Sequence, residues 1–143
     1  MNFVLDASVT MSWLLGDSKA SDRTYAGKIL EELKNPDTSA AVPVTWSLEV
    51  ANVIARAEAK GLVSEAQSEA FLEMLSTVPI RADDATYGQA LTDTLHLARR
   101  YRLSSYDASY LELALRGALP IATRDAELTK AALKAGVRRF ARR

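Results

Sequence analysis

Short apolar runs of about four or five residues alternate along this chain with longer stretches of helical period. Glycine or proline stands at most of the joints, where helices commonly end. Alternating strands and helices with short connections give right-handed crossovers and parallel strands. The pattern therefore predicts an α/β protein, a three-layer α/β/α sandwich around a parallel sheet. The runs that read as strands are Asn2–Leu5, Ala40–Val44, Val78–Arg81 and Leu119–Thr123, with a possible fifth at Val137–Phe140.

Helices fill the intervals between these runs, and polar residues at their starts give their predicted boundaries. The predicted helices are Ala7–Leu15 closed by Gly16, Arg23 to Lys34 capped by Asp22, Thr45 to Lys60 ended by Gly61, one beginning at Ser64, one from Asp83 or Asp84 to Tyr101, one from Ser104 to Arg116, and Asp125 to Ala135. No linker divides the chain, so a single domain over residues 1–143 is expected.

Composition excludes several classes of protein. With no cysteine, the chain has no disulfide framework, thiolate zinc site or cysteine nucleophile. No apolar run approaches the ~18 residues of a membrane span, and the N-terminus lacks the basic start and cleavage site of a signal peptide. A cytoplasmic protein without membrane association is expected.

Charge is balanced overall but uneven locally. Eighteen basic and eighteen acidic residues give a formal net charge of zero, which argues against a nucleic-acid binder that works by bulk charge. Two arginine clusters stand out, and each is open to two interpretations, a solvated helix end or tail and a phosphate-contacting surface. Their members are Arg99, Arg100 and Arg102 in one, and Arg138, Arg139, Arg142 and Arg143 in the other.

Four acidic residues follow strands or open helices at separate points of the chain: Asp6, Glu49, Asp107 and Asp125. Ligands of an open parallel sheet bind outside the carboxyl ends of its strands, and all four acids can face that edge. Two carboxylates ~4 Å apart oppose each other by roughly 4 kcal/mol at an effective dielectric of ~20. A fold that gathers them needs a cation, so a divalent-metal site with oxygen ligands and phosphate chemistry is predicted.

Each acid except Asp6 also has an ordinary structural explanation. Asp107 could complete a capping box with Ser104, and Asp125 could cap the last helix. Glu49 could belong to a solvated helix face. Two hydroxyls, Ser8 and Thr123, could orient carboxylates or simply cap their elements.

Four blocks of sequence resemble the PIN-domain proteins, in particular toxins of the VapC type. The blocks are Val4-Leu5-Asp6-Ala7-Ser8, Glu49-Val50-Ala51-Asn52-Val53, the stretch Leu103–Ala114, and Leu119–Asp125 leading into Leu128 and Ala131-Ala132. They occur in family order over nearly the whole chain. The resemblance implies strand order 3-2-1-4-5, Mg²⁺ or Mn²⁺ as cofactor, and homodimerisation. It also implies an RNA substrate and an antitoxin protein as inhibitor.

The resemblance assigns the catalytic and metal-binding roles to Asp6, Glu49, Asp107 and Asp125. Ser8, Asn52 and Thr123 match supporting positions of the family pocket. The expected activity is that of a metal-dependent endoribonuclease, the toxin of a type II toxin–antitoxin pair. RNA contacts are predicted, on position alone, for four arginines: Arg56, Arg124, Arg142 and Arg143.

Three alternatives to a toxin remain open at the level of sequence. A housekeeping PIN-domain nuclease would have the same residues. Asp6-Ala7-Ser8-Val9-Thr10 also resembles the opening motif of haloacid-dehalogenase phosphatases, although that motif usually has a second aspartate where Ser8 stands. A non-catalytic RNA-binding domain would have little use for four acids, because they repel phosphate.

Overall fold

The computed structural model describes residues 1–16 and 19–141. Its elements, in chain order, are β1 (Phe3–Leu5), α1 (Ala7–Leu15), α2 (Ala20–Glu32), β2 (Ala40–Pro43), α3 (Trp46–Ala59), α4 (Glu65–Leu75), β3 (Ile80–Asp83), α5 (Thr86–Gln89), a π-helical segment (Ala90–Thr94), α6 (Leu95–Tyr101), α7 (Ser105–Gly117), β4 (Ile121–Ala122) and α8 (Ala126–Lys134).

The four strands form one parallel sheet in the order β3-β2-β1-β4. Val4, in the middle of β1, pairs with Ala41 on one side and with Ile121 on the other. The predicted parallel α/β architecture is confirmed, and the order of these four strands agrees with the predicted 3-2-1-4-5.

The predicted fifth strand, Val137–Phe140, is wrong as a strand, because the segment meets the sheet only through a bridge between Ile121 and Arg139. Two backbone hydrogen bonds form this bridge, from the Ile121 N–H to the Arg138 carbonyl at 2.9 Å and from the Phe140 N–H to the Ile121 carbonyl at 2.8 Å. The side chains of the segment also pack against the sheet. The Phe140 ring stacks on Phe3 with the ring centroids 3.9 Å apart, and the Tyr25 hydroxyl donates to the Phe140 carbonyl at 2.9 Å. The segment therefore covers the edge of β4 without forming a strand.

Both faces of the sheet are buried, as successive strand residues must point to opposite sides. One face packs against α7 and α8, and the other packs mainly against α2. The first face contributes Val4, Ala41 and Ile121, and the second contributes Phe3, Leu5, Ala40, Val42 and Ala122. A third cluster joins α1 to α3 and α4 at the flank. This is the three-layer arrangement that the sequence predicts.

Several predicted boundaries are displaced, and β4 covers only Ile121–Ala122 of the predicted strand Leu119–Thr123. Helix α2 begins at Ala20, so Asp22 lies in its first turn and does not cap it. An acid in the first turn still favours the helix, through the partial positive charge at its N-terminus. Strand β3 begins at Ile80, two residues later than predicted, because this edge strand is only half-buried and lacks a clear apolar alternation. The polar stretch 17–22 predicts a loop; its first two residues lie outside the described residues, and its last three belong to α2.

The predicted helix from Asp83 or Asp84 to Tyr101 is also different in the structure. Asp83 is the last residue of β3, and its carboxylate accepts two hydrogen bonds from Arg116, at 2.6 and 3.1 Å. The helix starts only at Thr86 and passes through the π-helical segment before it reaches Tyr101. A salt bridge to a residue far away in sequence, which no local pattern reveals, removes the aspartate from the cap. Within the described residues, no helix is long and apolar enough to cross a membrane.

Candidate active site

Asp6 follows β1 directly and opens α1, and only 4% of its surface is exposed. Its Oδ2 accepts hydrogen bonds from two hydroxyls, Ser8 Oγ at 2.5 Å and Thr123 Oγ1 at 2.7 Å. Burial raises the pKa of the Asp6 carboxyl, and the two hydroxyl donors oppose that rise. Asp6 is thus a carboxylate fixed in place at the centre of the sheet edge.

The same two hydroxyls tie the end of β1 to the residues that follow β4. Thr123 Oγ1 accepts the backbone N–H of Asp125 at 3.0 Å, and Ser8 Oγ accepts the backbone N–H of Arg124 at 3.0 Å. Thr123 itself is fully buried. Each hydroxyl therefore donates to Asp6 and accepts from the loop leading to α8, which sets the position of Asp125 relative to Asp6.

Asp125 and Asp107 face each other from the first turns of two helices. Asp125 Oδ1 caps α8, accepting the N–H groups of Glu127 at 2.8 Å and Leu128 at 3.2 Å. Helix α7 is capped by Ser104, whose Oγ accepts the Asp107 N–H at 3.1 Å. The Asp107 carboxyl lies within hydrogen-bonding reach of the Asp125 carboxyl. The Asp107 carboxyl therefore interacts directly with that of Asp125.

Electrostatics confirm that the Asp107 carboxyl lies in an acidic environment. The pKa of Asp107 is raised to about 7, mainly by burial and further by the negative charges of Asp125, Asp6 and Glu49. A carboxyl with such a pKa is partly protonated near neutral pH unless a cation offsets its neighbours. All four acids are therefore electrostatic neighbours at one edge of the sheet.

Glu49 lies in the first turn of α3 and is oriented by a residue that sequence reasoning missed. The hydroxyl of Tyr110, a fully buried side chain of α7, donates to Glu49 Oε1 at 2.8 Å. Burial raises the pKa of Glu49 and the charge of Asp6 adds to the rise, whereas the tyrosine hydrogen bond lowers it. The sequence feature that could have revealed Tyr110 is its position three residues after Asp107, which puts both residues on one face of the helix.

A cavity of about 480 Å³ opens beside Glu49 and Asp107, between the starts of α3 and α7. Its lining is mixed, with Leu48 and Tyr106 beside the polar groups. Asn52, predicted as a supporting residue, also lines this cavity and is exposed. The cavity gives a ligand access to two of the four acids.

Comparison with known proteins gives the family of the chain. The family model of the PIN domain matches residues 3–134. The chain belongs to the PIN-domain family. Solved structures with the same fold include the crystal structure of PAE2754 from Pyrobaculum aerophilum, with a TM-score of 0.66 and 22% sequence identity over 92% of this chain and 79% of that one. No curated protein sequence matches the chain.

Members of the PIN-domain family are generally metal-dependent nucleases, so the chain has a nuclease-type function. The match favours that class over the phosphatase alternative. The structure adds a reason, because Ser8 occupies the position of that motif's second aspartate and donates its hydroxyl to Asp6.

The oxygen donors of this PIN domain suit a hard divalent cation. Four converging carboxylates provide the negative charge, and the raised pKa of Asp107 is what their mutual repulsion and burial produce without a cation. Across residues 1–16 and 19–141, no three acidic or histidine side chains form a preassembled metal cage. Such a donor set is compatible with a hard divalent cation that keeps several waters and takes only one or two carboxylates directly.

The arginines predicted to contact RNA are in different situations. Arg124 Nη1 donates to the carbonyl of Ser8 at 3.1 Å, so part of its guanidinium connects the loop before α8 to α1. Arg56 is exposed, one turn beyond Asn52 on α3. Arg142 and Arg143 lie outside the described residues.

Proposed function

We propose that this PIN domain is a metal-dependent endoribonuclease that uses Mg²⁺ or Mn²⁺, and that it is the toxin of a type II toxin–antitoxin pair. The observation that carries the nuclease proposal is the convergence of Asp6, Glu49, Asp107 and Asp125, with the Asp107 carboxyl facing that of Asp125. The toxin role rests on the resemblance of the four sequence blocks to VapC-type proteins.

The chain's own residues would hold the reacting groups in place. Ser8 and Thr123 fix one oxygen of Asp6, and Tyr110 fixes one oxygen of Glu49. A bound divalent cation would supply positive charge to the scissile phosphate and lower the pKa of the attacking water. No protein nucleophile is required, in keeping with a chain that has no cysteine.

Cleavage of a labelled single-stranded RNA by the purified protein tests the nuclease proposal. We expect cleavage with Mg²⁺ or Mn²⁺, none in excess EDTA, and none by Asp6→Asn, whose fold is checked by circular dichroism. The matched control is Asp93→Asn, since Asp93 is exposed and far along the chain from every site acid. Full cleavage by Asp6→Asn, or in excess EDTA, would refute the proposal.

The toxin proposal needs a separate test in cells. Expression of the wild-type chain should arrest growth, Asp6→Asn should not, and a small protein encoded beside it should copurify with it and restore growth. Light scattering on the purified chain tests the expected homodimer. Cleavage without growth arrest would instead favour a housekeeping nuclease.

A further inference from the structure

A basic groove runs between the end of α6 and the exposed side of α8. It encloses about 360 Å³. Its lining includes four basic residues, one acidic residue and the side chain of Tyr101. The basic groove is defined by Arg100, Tyr101, Arg102, Glu127, Lys130, Ala131 and Lys134.

The basic residues of the groove form no salt bridge within the part of the chain that the structure describes. The salt bridges among the described residues involve only Lys34 and Arg116 as cations. Arg102, Lys130 and Lys134 are all exposed, and none has an ion-pair partner in residues 1–16 and 19–141. In a chain of zero formal net charge, this leaves a local excess of positive charge that attracts an anion.

The basic groove begins next to the acid site. Arg102 lies two residues before the Ser104 cap of α7, and Glu127 lies two residues after Asp125, in the first turn of α8. Lys130 and Lys134 continue along the same helix face, which carries the positive charge ~10 Å away from Glu127 at ~1.5 Å per residue. The groove thus extends outward from the acids.

We propose that the basic groove binds the phosphate backbone of the RNA strand on one side of the scissile bond. The inference rests on the nuclease function proposed above and adds the path of its substrate. A positive groove that tracks a backbone is the usual design of a sequence-tolerant single-strand site. An RNA strand fits better than an acidic peptide, because the groove adjoins a site built for phosphate chemistry.

Binding measurements with matched lysine variants test the basic groove. Lys130→Gln combined with Lys134→Gln removes two groove charges, and Lys28→Gln combined with Lys60→Gln removes two exposed charges elsewhere. Both pairs are made in the Asp6→Asn protein, so that a fluorescein-labelled single-stranded RNA stays intact. Fluorescence anisotropy is read between about 50 and 200 mM salt, and thermal melts check the fold.

We expect the groove variant to raise the RNA Kd several-fold and to flatten the slope of log K against log salt by about 0.7 per lost phosphate contact. The control pair should change the slope far less. With the acid site intact, the same groove substitutions should raise KM for cleavage and leave kcat near its wild-type value.

An unchanged slope in the groove variant would overturn the proposal. So would a loss of binding to a polyglutamate peptide without any loss of RNA binding, which would assign the groove to an acidic protein partner. Failure of the nuclease function would look different. In that case the wild-type chain would cleave no RNA at all, whereas the dependence of RNA binding on the groove lysines is measured without cleavage.

Discussion

Replacing Asp107 by asparagine should stabilise the metal-free protein while it abolishes activity. In the absence of a cation, burial and the charges of Asp125, Asp6 and Glu49 destabilise the ionised form of Asp107. Asparagine has nearly the same shape, carries no charge, and can still donate to Asp125. The substitution therefore removes the repulsion and keeps the packing.

The raised pKa of Asp107 gives the size of this effect and its sign. A rise from 3.8 to about 7 corresponds to at most about 4 kcal/mol, at about 1.4 kcal/mol per pKa unit. Since water still reaches part of the carboxyl and screens it, we expect about 2 kcal/mol. Below pH 3.8 the group is protonated in both the folded and unfolded states, so it costs nothing. The cost grows as the pH rises to about 7 and is constant above that.

Urea unfolding in EDTA at pH 5 and pH 8 measures the effect. The Asp107→Asn protein should exceed the wild type in free energy of unfolding by under ~1 kcal/mol at pH 5 and by about 2 kcal/mol at pH 8. Saturating Mg²⁺ should narrow the gap, because a cation at 100 times its Kd stabilises the wild type by about 2.7 kcal/mol.

The exposed-site substitution Asp93→Asn serves as the matched control and should show no such dependence on pH. If the Asp107→Asn protein is no more stable than the wild type at pH 8 without metal, the acids do not repel one another as described. A gap that fails to widen with pH would refute the same reasoning.

Three other substitutions test neighbouring contacts. Tyr110→Phe frees Glu49 Oε1, and we expect about 1 kcal/mol of destabilisation and a clear fall in kcat, measured by urea unfolding and RNA cleavage. Arg116→Met leaves Glu112, whose side chain is 5% exposed, without its ion pair, and should cost about 3 kcal/mol in the free energy of unfolding. Phe140→Ala removes the ring stacked on β1 and should lower the free energy of unfolding by about 2 kcal/mol without changing kcat. A fall in kcat alongside the loss of stability would contradict a purely structural role for this ring.

The stack of Phe140 on β1 also decides how a tail deletion must be designed. Truncation after Val137 would remove this ring and the Arg139 guanidinium that lies 3.7 Å above the Tyr25 ring, so it would destabilise the core. Any loss of RNA binding would then be ambiguous. Removal of Arg142 and Arg143 alone leaves these contacts intact.

The order of elements could be predicted because the runs that form β1, β2 and β4 are buried on both faces and several helices have a glycine at or near their ends. Gly16, Gly61 and Gly136 all take positive φ, the conformation for which glycine is favoured at helix ends. The errors have tertiary causes. The sequence predicts Asp83 as a cap because its partner, Arg116, lies 33 residues away. The segment Val137–Phe140 pairs with β4 at one isolated bridge, and its Phe140 ring packs on Phe3.

The acid site could be predicted only in part for the same reason. Residue type and position after a strand indicated Asp6, and the spacing of the family blocks indicated the other three. The Tyr110 contact to Glu49 spans 61 residues, and its one sequence signal is the spacing that puts Tyr110 on the same helix face as Asp107. The proximity of Asp107 to Asp125 likewise follows from how α7 and α8 pack, which only the structure gives.

Asp125 is both one of the four acids and the N-cap of α8, and this restricts which residues can replace it. One of its oxygens caps α8, so its replacement by alanine should cost about 1 kcal/mol in stability independently of any effect on catalysis. Asparagine or serine would keep the cap and discard the charge. Inactive descendants of this protein should therefore drift to Asn or Ser at position 125, while position 107, whose cap is supplied by Ser104, is free to accept many residues.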